Sequence, residues 1–252
     1  MSEAPGDRPT LGEIAARHDL PQADQLVRVV ALDGPAGTGK SSVARGLAAA
    51  LGWRFVDTGA TYRAVTLAVL RAGADPADAA AVLTTARAAR VGLGTDPRAP
   101  AVWLDGVDVS AEIRSPAVTA QVSAVSAVPA VRDLLVAMQR VALGAEGAVV
   151  EGRDIATVVA PCAAVKVYLD ARPDVRARRR AAEPHAGVHV TAPAEIERLV
   201  GADLARRDAL DGETNPLSPS HGAHYLDTSD LDVSEVVDAL VTLVRAAGLL
   251  TA

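Results

Sequence analysis

The chain has 252 residues, half of them hydrophobic, and its formal net charge of −6 argues against a general nucleic-acid-binding protein. Its single cysteine, Cys162, excludes an internal disulfide and favours a reducing cytoplasm. No apolar run reaches the roughly 18 residues that a membrane helix needs, and the first residues lack the pattern of a secretory signal. We therefore predict a cytoplasmic protein with neither nucleic acid nor membrane as a partner.

The predicted elements begin after an N-terminal extension, residues 1–27, which is expected to be flexible and to form at most a short helix. The main domain is expected at residues 28–248. It opens with a buried β-branched strand at 28–32, and a helix follows from Lys40 to a glycine stop at Gly52. A short strand and a second helix complete this first part.

The middle of the chain combines helices with clear start signals and a small β-rich piece. Asp75 is predicted to cap a helix with Pro76 at its first position, and prolines open two further helices. Between them, residues 91–110 read as small strands with turns, inside an insert at about 86–127. Arg-rich helices are predicted at about 172–215.

Apolar strands return after residue 146 and alternate with helices to the end of the chain. Strands that are apolar on both faces and alternate with helices are typical of an α/β fold with a parallel sheet. The insert and the Arg-rich helices are then expected above that sheet.

Residues 34–41 fit the pattern G-x-x-x-x-G-K-[ST] between a predicted strand and a predicted helix, which indicates a P-loop. Backbone N–H groups cradle phosphate oxygens, Lys40 adds positive charge, and the Ser41 hydroxyl can ligate Mg²⁺. This loop serves kinases, hydrolases and motors, but the chain lacks the N-K-x-D motif of GTPases and is small for a motor. The predicted phosphate-binding residues are Gly34, Pro35, Ala36, Gly37, Thr38, Gly39, Lys40, Ser41 and Ser42.

The stretches "ALDGPAGTGKSS", "DTGATYR", "DVSAEIRSPAV", "EGRDIATVV" and "ARRDALD" follow one another in the order found in bacterial cytidylate kinases. The resemblance covers about residues 28–245. It implies ATP- and Mg²⁺-dependent phosphorylation of CMP or dCMP by a monomer. It also implies a P-loop NTPase-type parallel five-stranded sheet flanked by helices, with a small β-containing acceptor-binding insert and an Arg-rich helical lid.

The resemblance also implies roles for individual residues. An acceptor monophosphate carries nearly two negative charges, so arginines must hold it beside the γ-phosphate, and no strong general base is needed. Arg63 and Arg153 match the arginines that bind this phosphate, and Ser123, Arg132 and Asp154 match the positions that contact the cytosine edge. Further acceptor contacts match Thr58, Arg207 and Asp211. Residues of the lid over ATP match Arg176, Arg179 and Arg180. The catalytic residues implied are Lys40, Arg153, Arg179 and Arg180.

Two positions depart from the family pattern. Thr214 stands where an arginine that clamps phosphate is usual, and Ala156 replaces a glycine in the turn after "EGRD". A neighbouring side chain could substitute for the arginine. Otherwise, the chain could phosphorylate a different small molecule or a modified nucleotide, or be a non-catalytic nucleotide-binding module.

Several residues keep a second interpretation. The Arg-rich run could be a solvated helix face, Arg153 could simply pair with Asp154, and Glu151 could orient Mg²⁺-bound water or serve only as a structural acid. A zinc site is disfavoured, because its candidate ligands lie in predicted loops. These candidates are Cys162, His185, His189, His221 and His224.

Overall fold

The computed structural model describes residues 8–182, 193–214 and 218–250. The strands are β1 Val29–Asp33, β2 Arg54–Asp57, β3 Val91–Leu93, β4 Val102–Leu104, β5 Val107–Asp108, β6 Ala148–Glu151, β7 Val165–Asp170 and β8 His224–Asp227. The α-helices are α1 Leu11–Ala15, α2 Lys40–Leu51, α3 Thr58–Arg71, α4 Ala79–Ala88, α5 Pro116–Ser126, α6 Pro129–Leu143, α7 Pro173–Ala181, α8 Pro193–Thr214 and α9 Val233–Ala246. Single turns of 3₁₀-helix lie at Ala23–Gln25 and Glu112–Arg114, and a π-helical turn lies at Ile155–Val159.

A five-stranded parallel sheet with the order β2-β6-β1-β7-β8 forms the centre of the fold. Every residue of β1 and β6 is buried, because these strands lie inside the sheet and helices cover both of its faces. In register, Val30 lies opposite Val149 on one side and Val165 on the other. The predicted parallel five-stranded sheet flanked by helices is confirmed.

A second, three-stranded antiparallel sheet, β3-β4-β5, lies in the stretch where small strands are predicted. The turn between β4 and β5 uses Asp105 and Gly106, both with positive φ. The predicted cap of the preceding helix is wrong: α4 starts at Ala79, with Asp78 as its N-cap. Asp78 accepts bonds from two free N–H groups of the first turn of α4, whereas Asp75 forms only a local turn with Ala77.

The N-terminal extension is partly built into the core. In α1, Leu11 is 0% exposed and Ile14 is 6% exposed, and both belong to the hydrophobic cluster between α3, α4 and α6. The backbone N–H of Leu11 donates to the carbonyl of Ala89 at 2.9 Å. The guanidinium of Arg8 lies 4.3 Å from the ring centre of Trp103 in β4. Within the predicted extension, Leu11 and Ile14 of α1 therefore pack into the core beside α4 and α6.

Within the described ranges, no single helix is long and apolar enough to cross a membrane. The neighbouring helices α5 and α6 reach the required length and composition only together, across a bend of 104°. As predicted, each of these two helices starts at a proline, Pro116 or Pro129. Much of α6 faces the core, with Leu135 and Leu143 fully buried.

Candidate active site

A cavity of about 790 Å³ opens at the carboxyl ends of β1, β2 and β6, where parallel sheets usually bind their ligands. Its wall combines the loop before α2, the start of α3, part of α5, the turn after β6, α7 and the segment from β8 to α9. The predicted site residues in this wall are Ala36, Gly37, Thr38, Gly39, Lys40, Ser41, Ser42, Thr58, Arg63, Ser123, Arg132, Arg153, Asp154, Arg179 and Arg180.

The P-loop turns tightly between β1 and α2. A Cβ atom on Gly34, whose φ is 141°, would lie 2.0 Å from the carbonyl oxygen of Leu169, so only glycine fits there. Inside the loop, the Lys40 ammonium donates to the carbonyl of Pro35 at 2.6 Å, and the Thr38 hydroxyl donates to the same oxygen at 3.2 Å. Lys40 also begins α2, so the positive end of this helix points at the loop.

Buried charges of opposite sign meet beside the P-loop. Burial is the largest cause that lowers the pKa of Lys40 well below its usual value, and the positive charge of Arg153 lowers it further. Burial and the nearby Asp57 raise the pKa of Glu151 well above the ordinary range of a carboxyl group. A bound polyphosphate would supply negative charge beside Lys40 and would favour its charged form.

Glu151 and Ser41 are the residues here that could hold a metal ion. The carboxylate of Glu151 is 4% exposed and lies within reach of the Ser41 hydroxyl. Its Oε1 atom has no hydrogen-bond partner in the described structure. A buried carboxylate oxygen without a partner is costly, and a hard cation such as Mg²⁺ would satisfy it. The donor set therefore fits Mg²⁺.

The other end of the cavity carries an ion pair and a row of further polar groups. Arg132 donates to Asp154 in a short ion pair, and both side chains are largely buried. Burial raises the pKa of Asp154, and Arg132 opposes this shift. Ser123 of α5 lines the same end. A carboxylate, a guanidinium and a hydroxyl together can accept and donate hydrogen bonds to the edge of a planar polar base.

Arg63 and Thr58 extend this polar end toward the sheet. One Arg63 nitrogen donates to the Thr119 hydroxyl at 2.9 Å and to the carbonyl of Ile113 at 3.2 Å. The Thr58 hydroxyl donates to the carbonyl of Glu151 at 2.7 Å, which ties the start of α3 to the end of β6. Arg63 is thus oriented by Ile113 and by Thr119 of α5.

Arg176 of α7 packs against the P-loop. It donates to the carbonyl of Ala36 at 3.2 Å and forms a buried ion pair with Asp208 of α8 at 2.5 Å. The side chains of Arg207 and Asp211, predicted to contact the acceptor, lie outside the described residues, as does that of Thr214.

Arg179 joins the P-loop to the segment after β8. It donates to the carbonyls of Thr38, Thr228 and Leu231 and to the Thr228 hydroxyl, at 2.6–3.2 Å. Arg180, its neighbour, lines the cavity. Arg176 and Arg179 thus donate to carbonyls of the P-loop, and Arg179 and Arg180 both line the cavity.

The wall also contains residues to which the sequence analysis assigned no role. Asp57 and Tyr62 lie inside "DTGATYR", and Arg114 lies inside "DVSAEIRSPAV". A second group, outside the motifs, runs from the end of β8 into α9: Thr228, Leu231, Asp232, Val233 and Val236. Asp57 could have been found, because it follows a predicted strand and caps α3. The residues after β8 could have been found as well, because they follow the last predicted strand and the carboxyl ends of parallel strands lie at one edge of the sheet.

The departure at Ala156 and the disfavoured zinc site can both be compared with the described residues. Among the described residues other than glycine, only Asp105 has a positive φ, so Ala156 replaces the usual glycine without backbone strain. No group of three or more His, Cys, Asp or Glu side chains within the described ranges could hold a metal ion. His185 and His189 lie outside those ranges.

Comparison with known proteins agrees with this geometry. The model of the cytidylate kinase family matches residues 30–246. The chain is 53% identical over 220 residues to the cytidylate kinase of Mycolicibacterium paratuberculosis, covering 86% of this chain and 95% of that protein. It is 51% identical over 219 residues to that of Nocardia farcinica, covering 86% and 93%. Among solved structures, it is similar to the shikimate kinase from Acinetobacter baumannii in complex with shikimate, at a TM-score of 0.39 and 18% identity over 89% of this chain and 96% of that chain. The matches by sequence cover most of both chains, and the chain therefore belongs to the cytidylate kinase family.

Proposed function

We propose that this protein transfers the γ-phosphate of ATP to CMP or dCMP and releases ADP with the corresponding diphosphate. The observation that carries the proposal is the continuous cavity with a P-loop at one end and the Arg132–Asp154 pair at the other. A phosphate donor and an anionic acceptor can meet inside it. Membership of the cytidylate kinase family supports the identity of both substrates.

At the donor end, residues 34–42 would bind the phosphates of ATP, and Lys40 and Arg153 would offset charge in the transition state. Arg153 already donates to the carbonyl of Gly34 at 2.6 Å, which supports its place between the two substrates. Arg176, Arg179 and Arg180 belong to the proposed lid. The bonds of Arg179 support a role in holding the P-loop against the segment after β8.

At the acceptor end, cytosine offers an amino donor beside two acceptor atoms. Asp154 would accept from the amino group, and Arg132 and Ser123 would donate to the acceptors. Arg63 and Arg153 would bind the acceptor phosphate through charge-assisted hydrogen bonds, which are stronger than bonds between neutral groups. Thr58, Arg207 and Asp211 stay predicted contacts of the acceptor.

Ser41 and Glu151 would hold Mg²⁺, because Glu151 offers a buried oxygen without a partner in the described structure. When bound, the ion neutralises charge on the β- and γ-phosphates. The chain's own contribution is a buried carboxylate and a hydroxyl beside Lys40. This assignment favours the metal role of Glu151 over a purely structural one.

We further propose a monomer in the cytoplasm, with residues 86–127 as the acceptor-binding insert and 172–215 as the lid. The three-stranded sheet within the first range and the helices α7 and α8 within the second support these boundaries.

The test is ADP release from ATP and Mg²⁺, first with no acceptor and then with CMP, dCMP, UMP, AMP and GMP in turn. We expect a large rise with CMP and dCMP. Arg63→Ala should abolish most of it, whereas Arg71→Ala, an exposed arginine of the same helix, should not. A flat response across all five acceptors, with ATP still bound, would overturn the proposal and leave either another acceptor or a non-catalytic nucleotide-binding module.

A further inference from the structure

Asp33 is a buried carboxylate that connects the P-loop to the turn after β6. It is the last residue of β1, directly before Gly34, and is 6% exposed. Its Oδ1 atom accepts from the backbone N–H of Ile155 at 2.8 Å, and its Oδ2 atom accepts from that of Ala156 at 2.9 Å. Both oxygens are therefore used by one short segment.

Two further bonds join the same pair of segments. The N–H of Gly152 donates to the carbonyl of Leu32 at 3.0 Å. Arg153 donates to the carbonyl of Gly34 at 2.6 Å. Residues 32–34 and 152–156 are thus held at four points. The Asp33 side chain accepts two of these bonds, the Arg153 side chain donates one, and the remaining bond joins two backbone groups.

The turn that Asp33 holds carries two residues of the acceptor site. Arg153 and Asp154 precede Ile155 directly, and both line the cavity. Asp33 itself is absent from the described cavity wall, so it acts through these neighbours. Burial raises the pKa of Asp33, and the two backbone N–H groups oppose that shift. A buried acid with both oxygens bonded orients the backbone more strictly than a single acceptor would.

We propose that Asp33 is a positioning residue, which holds Arg153 and Asp154 at a set distance from the P-loop so that the acceptor is aligned with ATP. The inference rests on the proposed function for the identity of the acceptor. Phosphoryl transfer depends mostly on alignment, and misplacement by about 1 Å can cost as much as ~100-fold in rate. ATP binding depends on the P-loop itself and should be much less affected.

Asp33→Asn tests this with almost no change in side-chain shape. The carboxamide has one acceptor oxygen, so one of the two N–H groups loses its partner and faces an NH₂ group. We expect kcat/KM for CMP to fall about ten-fold or more, while KM for ATP stays within about two-fold. Hydrogen–deuterium exchange at the amides of Ile155 and Ala156 should become at least about ten-fold faster.

Val244→Ala is the matched control for a merely structural effect. Val244 is 0% exposed in α9 and is absent from the described cavity wall, so its truncation should lower the Tm without changing either KM. The inference is overturned if Asp33→Asn has the same kinetics as the wild type. It is also overturned if Val244→Ala loses as much kcat/KM for CMP as Asp33→Asn does at an equal folded fraction. A wild type inactive on CMP would instead overturn the proposed function, and the exchange rates of the two amides would still decide whether Asp33 holds the turn.

Discussion

Leu11→Ala should destabilise the whole domain, although Leu11 lies in a segment that precedes the family match. Leu11 is 0% exposed and belongs to the same buried cluster as Val82 of α4 and Leu135 of α6. Truncation of a fully buried leucine costs about 2–5 kcal/mol, because apolar contact is lost and a cavity remains. Since ~1 kcal/mol shifts the Tm of a chain this size by about 2–4 °C, we expect a loss of at least about 5 °C.

Thermal unfolding followed by circular dichroism measures this shift directly. The control is Val27→Ala, in the same segment, where the side chain is 53% exposed and its loss should cost at most about 0.5 kcal/mol. If Leu11→Ala and Val27→Ala unfold at the same temperature, the segment does not contribute to the core, and the reasoning from burial is refuted.

Three further changes test the cavity. Gly34→Ala should abolish ATP binding in calorimetric titration, because its Cβ would lie 2.0 Å from the carbonyl oxygen of Leu169; unchanged affinity would contradict this. Arg132→Ala should raise KM for CMP about ten-fold or more, because Asp154 loses its buried partner, and should leave KM for ATP within about two-fold. Steady-state kinetics measures both KM values, and an equal rise in the two would contradict this expectation. Burial raises the pKa of Glu151 to about 7, so the folded wild type keeps a proton that the unfolded chain releases at lower pH. Its unfolding free energy should therefore fall from about pH 5 to about pH 7 relative to Glu151→Gln, as measured by urea unfolding, and parallel curves would argue against a perturbed carboxyl group.

The donor side and the sheet could be predicted because their determinants are local. Glycines at 34, 37 and 39 allow the loop's conformations, and Lys40 follows at a set spacing. Apolar strands buried on both faces indicate a parallel sheet without any knowledge of their partners. The family motifs extended this to Arg63, Arg132 and Asp154, which the structure brings to one cavity.

By itself, then, the sequence determined the fold class, the P-loop and many of the residues that line the cavity. Only the tertiary structure decided that Leu11 is buried, because a helix of five residues has too little periodicity to indicate a buried face and is stabilised by packing. It also decided the partners of Asp33, which lie 122 and 123 residues further along the chain. Such contacts depend on where distant segments return to the sheet, and neighbouring residues carry no signal of that return.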